Sequence, residues 1–111
     1  MKSLKPGIFA EYLVLLLYKV RLYSILHHRM KTYVGEIDLV ASRGKQLVFI
    51  EVKARKYGIY EGIVSQVQQE RIKRAAELFL SKNPEYENYD IRFDLVVVKP
   101  YCWPMVIENA W

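Results

Sequence analysis

The chain has 111 residues, 52% of them hydrophobic and 26% charged, which excludes a disordered chain and fits one compact domain over residues 1–111. The net charge of +5 and the pI near 9.3 favour a polyanionic partner such as nucleic acid, or an acidic membrane face. The only cysteine, Cys102, excludes an intrachain disulfide and a cysteine-rich zinc site, and it suits a reducing compartment.

The first predicted element is a helix. Pro6 and Gly7 open it, and the stretch from Ile8 to about Val20 is apolar on most sides, which is typical of a largely buried helix. Its apolar run, Tyr12–Tyr18, is too short to span a bilayer, and no small-residue cleavage site follows it. We therefore expect a cytoplasmic protein that does not bind a membrane.

Three strands are predicted next, over Leu22–Met30, Val34–Ala41 and Gln46–Ala54. The sequence "SRGK", Ser42–Lys45, forms the turn between the second and the third, and its glycine supplies a positive φ. These two strands therefore form a hairpin.

The second half of the chain predicts one helix and two strands. Apolar residues recur at helical spacing over Glu61–Lys82, a polar loop follows to Asp90, and strands are expected at Ile91–Lys99 and Val106–Ala110. The order α-β-β-β-α-β-β predicts an α/β (α+β) fold with a mixed central sheet flanked by helices.

The hairpin carries three polar residues in two otherwise apolar strands. Glu51 and Lys53 share one face of their strand because side chains alternate. If the turn is centred on Gly44-Lys45, Asp38 lies directly opposite Glu51, and a turn one residue earlier makes the two diagonal neighbours. Either register brings both carboxylates to within roughly 5–8 Å on one face.

Two carboxylates this close repel each other, and a divalent cation between them removes the conflict. Mg²⁺ commonly takes one or two carboxylates together with waters and substrate phosphate, and the carbonyl of Val52 is a further candidate ligand. Lys53 would neutralise charge beside the cation. The ordinary alternative is a solvated hairpin face with an ion pair of little energetic value, but "LVFIEV" is too apolar for a strand with one wet face.

Two helical residues support a polar pocket. Gln68 falls within the apolar stripe of the second helix, where it needs hydrogen-bond partners, and Glu11 is an acid in the apolar first helix. Each also has an ordinary explanation. Gln68 would bond to backbone at the helix start, and Glu11 would be a partly exposed acid near a helix N-terminus.

The sequence from Asp38 to Lys53 resembles the PD-(D/E)xK nuclease motif. Five blocks in order resemble the YraN-like family, whose members are classed as endonucleases by motif: "GEIDLV", "VFIEVKAR", "RIKRAAELFL", "RFDLVVV" and "ENAW". The resemblance covers nearly the whole chain. It implies a restriction-endonuclease-like core similar to that of archaeal Holliday-junction resolvases.

By this resemblance Asp38 and Glu51 would be catalytic metal ligands and Lys53 the catalytic lysine. Glu11 matches the first-helix acid that completes the metal site in resolvase-like members, and the cofactor would be Mg²⁺ or Mn²⁺. Gln68 stands where the family usually carries lysine, and Arg29 stands where an asparagine is usual.

The expected function is a metal-dependent endonuclease acting on DNA, including branched or structured DNA. Substrate-binding residues would be Gln68 and three basic residues near the motif, Arg55, Lys56 and Arg71, which contact phosphate without reading sequence. The alternative is a nucleic-acid-binding or scaffold domain that keeps the fold with weak or no cleavage. Resolvase-like relatives suggest a homodimer.

Overall fold

A computed structural model describes residues 6–55 and 64–111. The chain is an α+β protein with a mixed five-stranded sheet, as the sequence predicts. Its elements follow in the predicted order: α1 Pro6–Val20, β1 Ser24–Lys31, β2 Glu36–Arg43, β3 Gln46–Ala54, α2 Gln66–Lys82, a short 3₁₀ turn Pro84–Tyr86, β4 Asp90–Val98 and β5 Met105–Ile107.

The strands lie in the sheet in chain order, and each neighbouring pair is antiparallel except β3 and β4, which are parallel. The parallel pair requires a crossover, and α2 lies within it. In the β2–β3 hairpin Arg43 pairs with Gln46, so the turn is centred on Gly44-Lys45, the first of the two predicted registers. Gly44 has a φ of 60°, a conformation that glycine adopts at little cost.

Each face of the sheet carries one helix and its own apolar cluster. On one face α1 buries Ala10, Val14 and Tyr18. On the other α2 buries a row that includes Ile72 and Phe79. Helices on both faces explain why the stretch Leu47–Ile50 of β3 is apolar on both of its faces. Within the described parts of the chain, no helix combines the length and apolar character needed to cross a membrane.

Several element boundaries differ from the predicted ones. Strand β1 begins at Ser24 because the chain turns after α1 at Leu22, whose φ is 70°. Helix α2 begins at Gln66, not Glu61, because Ser65 caps it by accepting a hydrogen bond from the Gln68 N–H. The predicted start of this helix, residues 61–63, lies outside the described residues.

Candidate metal and phosphate site

The alternation of side chains breaks where Asp38 lies. Ile37 packs in the cluster beside α2, whereas Leu39 packs in the cluster beside α1, although residues two apart in a regular strand share a face. In β1, which pairs with this part of β2, Arg29 has a φ of 58°. The sheet is therefore locally irregular at this point, which regular alternation of side chains along a strand does not predict.

Asp38 lies where β2 and β3 separate. The ladder between the two strands ends at the pair Leu39 and Ile50. Two residues after Ile50, the backbone N–H of Val52 donates to Asp38 Oδ2 at 2.8 Å. The side chain of Asp38 thus takes the place of a backbone acceptor. This bond holds the half-buried carboxylate beside β3, next to Glu51.

Glu51 is the buried acid of the pair, with 7% of its surface exposed. Burial raises its pKa to about 9, and hydrogen bonding with Asp38 and the negative charge of Asp38 act in the same direction. Lys53 lowers the pKa, but less strongly, and Glu11 contributes a weaker increase. The structure thus brings the two predicted carboxylates together, and the described residues place too little positive charge nearby to ionise both easily.

Lys53 and Gln68 complete this cluster. Lys53 Nζ lies 3.9 Å from Glu51 Oε1 and donates to Gln68 Oε1 at 3.3 Å, while Gln68 Nε2 donates to Glu51 Oε2 at 3.3 Å. Gln68 lies in the first turn of α2, where Ser65 binds its backbone N–H. The Gln68 amide on α2 therefore bridges Glu51 and Lys53 on β3. Gln68 thus lies in a polar pocket with the strand residues, which is one of the two interpretations that the sequence left open.

Glu11 lies on α1 with different partners. Its Oε1 accepts a hydrogen bond from Arg29 Nε at 2.9 Å and lies 3.2 Å from His28 Nε2. This hydrogen bond and the charge of Glu11 raise the pKa of Arg29. The sequence gives no signal that links His28 to the site. Alternation with His27 indicates only that the two imidazoles point to opposite faces of the strand.

Glu11, Arg29 and Asp38 line one pocket of about 200 Å³, which Lys31, Glu36 and Ile37 complete. Within residues 6–55 and 64–111, no group of three or more His, Cys, Asp or Glu side chains is arranged to hold a metal ion. Two carboxylates nevertheless suffice for Mg²⁺, because water and phosphate oxygens supply its remaining ligands. Asp38 and Glu51 fit such an ion, since it would relieve their mutual repulsion.

Two of the predicted phosphate-binding residues, Arg55 and Arg71, belong to the described part of the chain, and neither has a hydrogen bond to this cluster there. Arg55 is exposed at the end of β3 and donates to the neighbouring carbonyl of Ala54 at 2.8 Å. Arg71 is exposed on α2, and its backbone carbonyl packs against Gly35, where an added Cβ would lie 2.8 Å from the oxygen. Lys56 lies outside the described residues. The roles of these three residues stay predictions.

Comparison with known proteins identifies similar chains along nearly the full length. A family model described as "Uncharacterised protein family UPF0102" matches residues 10–98. A UPF0102 protein of Chelativorans sp. (strain BNC1) is 41% identical over 111 residues, which cover 99% of this chain and 90% of the relative. UPF0102 proteins of Parvibaculum lavamentivorans and Ehrlichia ruminantium are 41% and 39% identical, each over 95% of this chain and over 80% and 82% of their own lengths.

Proposed function

The chain belongs to the UPF0102 family, the YraN-like family that its motifs predict, and from that premise we propose that it is a metal-dependent endonuclease hydrolysing phosphodiester bonds in DNA. The observation that carries the proposal is the cluster of Asp38, Glu51, Lys53 and Gln68. In it two carboxyl groups are neighbours, and Lys53 lies 3.9 Å from the buried one, Glu51.

Asp38 and Glu51 would hold the cation, Mg²⁺ or Mn²⁺. A bound divalent cation would activate water and offset charge on the phosphate. The hydrogen bond from Val52 fixes one oxygen of Asp38, and the hydrogen bond from Gln68 fixes one oxygen of Glu51. Both carboxylates are thus oriented before any ligand arrives, which lowers the free energy needed to organise the site.

Lys53 would place a positive charge beside the phosphate under attack. Its side chain is 19% exposed, and Gln68 Oε1 restrains its ammonium group on the same side of β3 as Glu51. A partly desolvated cation fixed in this way stabilises negative charge more effectively than a solvated one does. Lys53 would also orient the attacking water by hydrogen bonding.

Nucleic acid is the substrate class best supported by charge. The chain carries 17 lysine and arginine residues against 12 acidic ones. No base-reading motif is recognised in the sequence, so we expect contacts with the phosphate backbone and affinity that falls steeply with salt. Branched and single-stranded DNA are the structures to test first.

The test is an incubation of the purified protein with four-way junction, flap and single-stranded DNA in Mg²⁺, Mn²⁺ or EDTA. We expect metal-dependent cleavage that Asp38→Ala and Lys53→Ala abolish. Asp90→Ala, which removes an exposed carboxylate at the start of β4, is the matched control and should cleave normally. Cleavage that survives in Asp38→Ala would refute the proposed site.

The second candidate is a nucleic-acid-binding domain that does not cleave. It is favoured by the position of Gln68, which satisfies both Glu51 and Lys53 by hydrogen bonds without a cation. Salt-sensitive DNA binding with no cleavage in any metal would support this candidate over the nuclease.

A further inference from the structure

Arg29 has a backbone conformation that its residue type disfavours. Its φ of 58° lies in the left-handed region, where asparagine is tolerated and an arginine is strained. Strain of this kind clusters at functional sites. Here it occurs in the strand beside Asp38, at the irregularity described above.

Stability does not account for this strained arginine. The Arg29 side chain is 44% exposed, so its ion pair with Glu11 is screened by solvent and contributes little to the free energy of folding. An asparagine would fit the same backbone without the strain. The guanidinium group is therefore the feature of Arg29 that needs a functional explanation.

The hydrogen bonding of Arg29 leaves most of its donors available. Glu11 binds Nε, and among the described residues neither terminal nitrogen has a hydrogen-bond partner. A guanidinium held through Nε is oriented, and its two terminal nitrogens carry four N–H donors. This geometry suits two oxygens of one phosphate group. The same pocket contains Asp38, so a phosphate bound there would lie beside the proposed cation site.

We propose that Arg29 binds a backbone phosphate of the nucleic-acid substrate in this pocket, and that Glu11 orients its guanidinium instead of holding the cation. This inference rests on the proposed function for the identity of the substrate. It differs from the role that the family resemblance implies for Glu11, and it assigns a substrate contact to Arg29.

The first experiment measures binding of a fluorescent DNA duplex in EDTA over a range of salt concentrations. Arg29→Asn keeps a residue that tolerates positive φ, and thermal unfolding will verify that the variant is folded. We expect several-fold weaker binding, and a salt dependence of log K shallower by about 0.9, the value for one lost phosphate contact. An unchanged slope would overturn the assignment.

Arg43→Asn is the matched control. Arg43 lies on β2, five residues and roughly 17 Å along the strand from Asp38. Its guanidinium already bonds to the carbonyl of Arg21 and stacks on Tyr23. We expect the salt dependence of log K for Arg43→Asn to match that of the parent protein. An equally shallow salt dependence in both variants would show that any lost positive charge has this effect, and it would overturn the specific role of Arg29.

The second experiment separates the two roles of Glu11. Glu11→Gln keeps an acceptor for Arg29 Nε, so we expect parent-like salt dependence and parent-like Mn²⁺ affinity, whereas Asp38→Asn should weaken Mn²⁺ binding at least tenfold. Glu11→Ala lacks the acceptor, so the salt dependence of its log K should become shallower, as in Arg29→Asn. A loss of Mn²⁺ affinity in Glu11→Gln as large as that in Asp38→Asn would overturn the orienting role.

A failure of cleavage would refute the nuclease proposal without altering these binding results, so the two proposals can be refuted separately.

Discussion

Asp94 and Glu51 are both buried carboxyl groups on neighbouring parallel strands, yet their surroundings differ sharply. Asp94 is fully buried and accepts two hydrogen bonds of 2.8 Å from Arg92, one of 2.8 Å from the Tyr18 hydroxyl and one of 3.1 Å from the Asn109 N–H. Burial lowers the pKa of Arg92, but hydrogen bonds to Asp94 and Tyr23 outweigh that effect and raise it. The charge of Asp94 is therefore matched by a cation and satisfied by neutral donors.

Among residues 6–55 and 64–111, Glu51 has no comparable match. Within these residues its lysine lies 3.9 Å away, its neutral donor is an amide at 3.3 Å, and its other neighbour is a second acid, Asp38. The same sheet thus contains one acid fully compensated by the protein and one that is not. The comparison teaches that burial alone does not indicate function, and that the buried acid short of positive charge is the one at which a cation is proposed to bind.

Removing Asp94 should produce the largest loss of stability. Asp94→Ala leaves the partly buried guanidinium of Arg92 without its principal partner, and breaking a buried pair in this way typically costs about 3–5 kcal/mol. Chemical denaturation of the variant measures the loss. Glu51→Gln is the comparison, and in the absence of metal it should be neutral or stabilising. Equal losses in the two variants would contradict the distinction drawn between the acids.

The pH dependence of stability should reveal Glu51. In the unfolded chain this group loses its proton near pH 4.5, whereas in the folded protein it keeps the proton up to about pH 9. The folded state therefore binds more protons over that interval, so the free energy of unfolding falls as pH rises, by at most about 1.4 kcal/mol per unit from this group. Its stabilising contribution is fully present below pH 4.5.

Denaturant titrations between pH 5 and 9 measure this slope, which Glu51→Gln should flatten. Saturating Mg²⁺ should also reduce it, since the cation stabilises the ionised form that alkaline pH favours. The prediction is contradicted if the stability of the metal-free parent protein rises with pH over this interval in the same way as that of Glu51→Gln. That result would show that Glu51 is ionised in the folded protein.

The sequence predicted the hairpin well because its information is local. Alternation and the glycine turn restricted the register to two choices, and one of them is the observed pairing. Alternation also puts Arg92 and Asp94 on one face of β4, where they form an ion pair. In contrast, the parallel pairing of β3 with β4 depends on the path of the chain through α2, which no local pattern specifies.

The finer geometry of the candidate site was not predictable from the sequence. The left-handed conformation of Arg29 and the change of face between Ile37 and Leu39 arise from strand pairing. The pairing of Glu11 with Arg29 depends on how α1 crosses the sheet. These are tertiary effects, and regular alternation gives no signal for them.

Relieving the crowding of the two carboxylates should have a smaller, opposite effect to the loss of Asp94. Asp38→Asn removes the negative charge beside Glu51 but keeps an oxygen that accepts from the Val52 N–H. At pH 8 without metal we expect a stabilisation of about 1 kcal/mol, measured by thermal unfolding. The exposed Asp90→Asn is the control, with no expected change. A clear fall in the melting temperature of Asp38→Asn would contradict the crowded-carboxylate interpretation.

A second lysine beside Glu51 should make its surroundings resemble those of Asp94. In Gln68→Lys an ammonium group replaces the amide that bonds to Glu51. We expect metal-free stability at pH 8 to rise by a few tenths of a kcal/mol, limited by repulsion from Lys53, and Mn²⁺ affinity to fall several-fold because the lysine replaces part of the charge that the metal supplies. Calorimetric titration with Mn²⁺ measures the affinity.

Gln69→Lys is the matched control for that substitution, because Gln69 bonds to the carbonyl of Val64 and is not hydrogen-bonded to the acids. It adds the same charge one residue along α2, so it should leave the pH dependence and the Mn²⁺ affinity close to those of the parent. If Gln68→Lys instead tightens Mn²⁺ binding, the added lysine is not competing with the metal for Glu51. The shortage of positive charge around this acid would then not be what the metal relieves, and the contrast with Asp94 would lose its functional meaning.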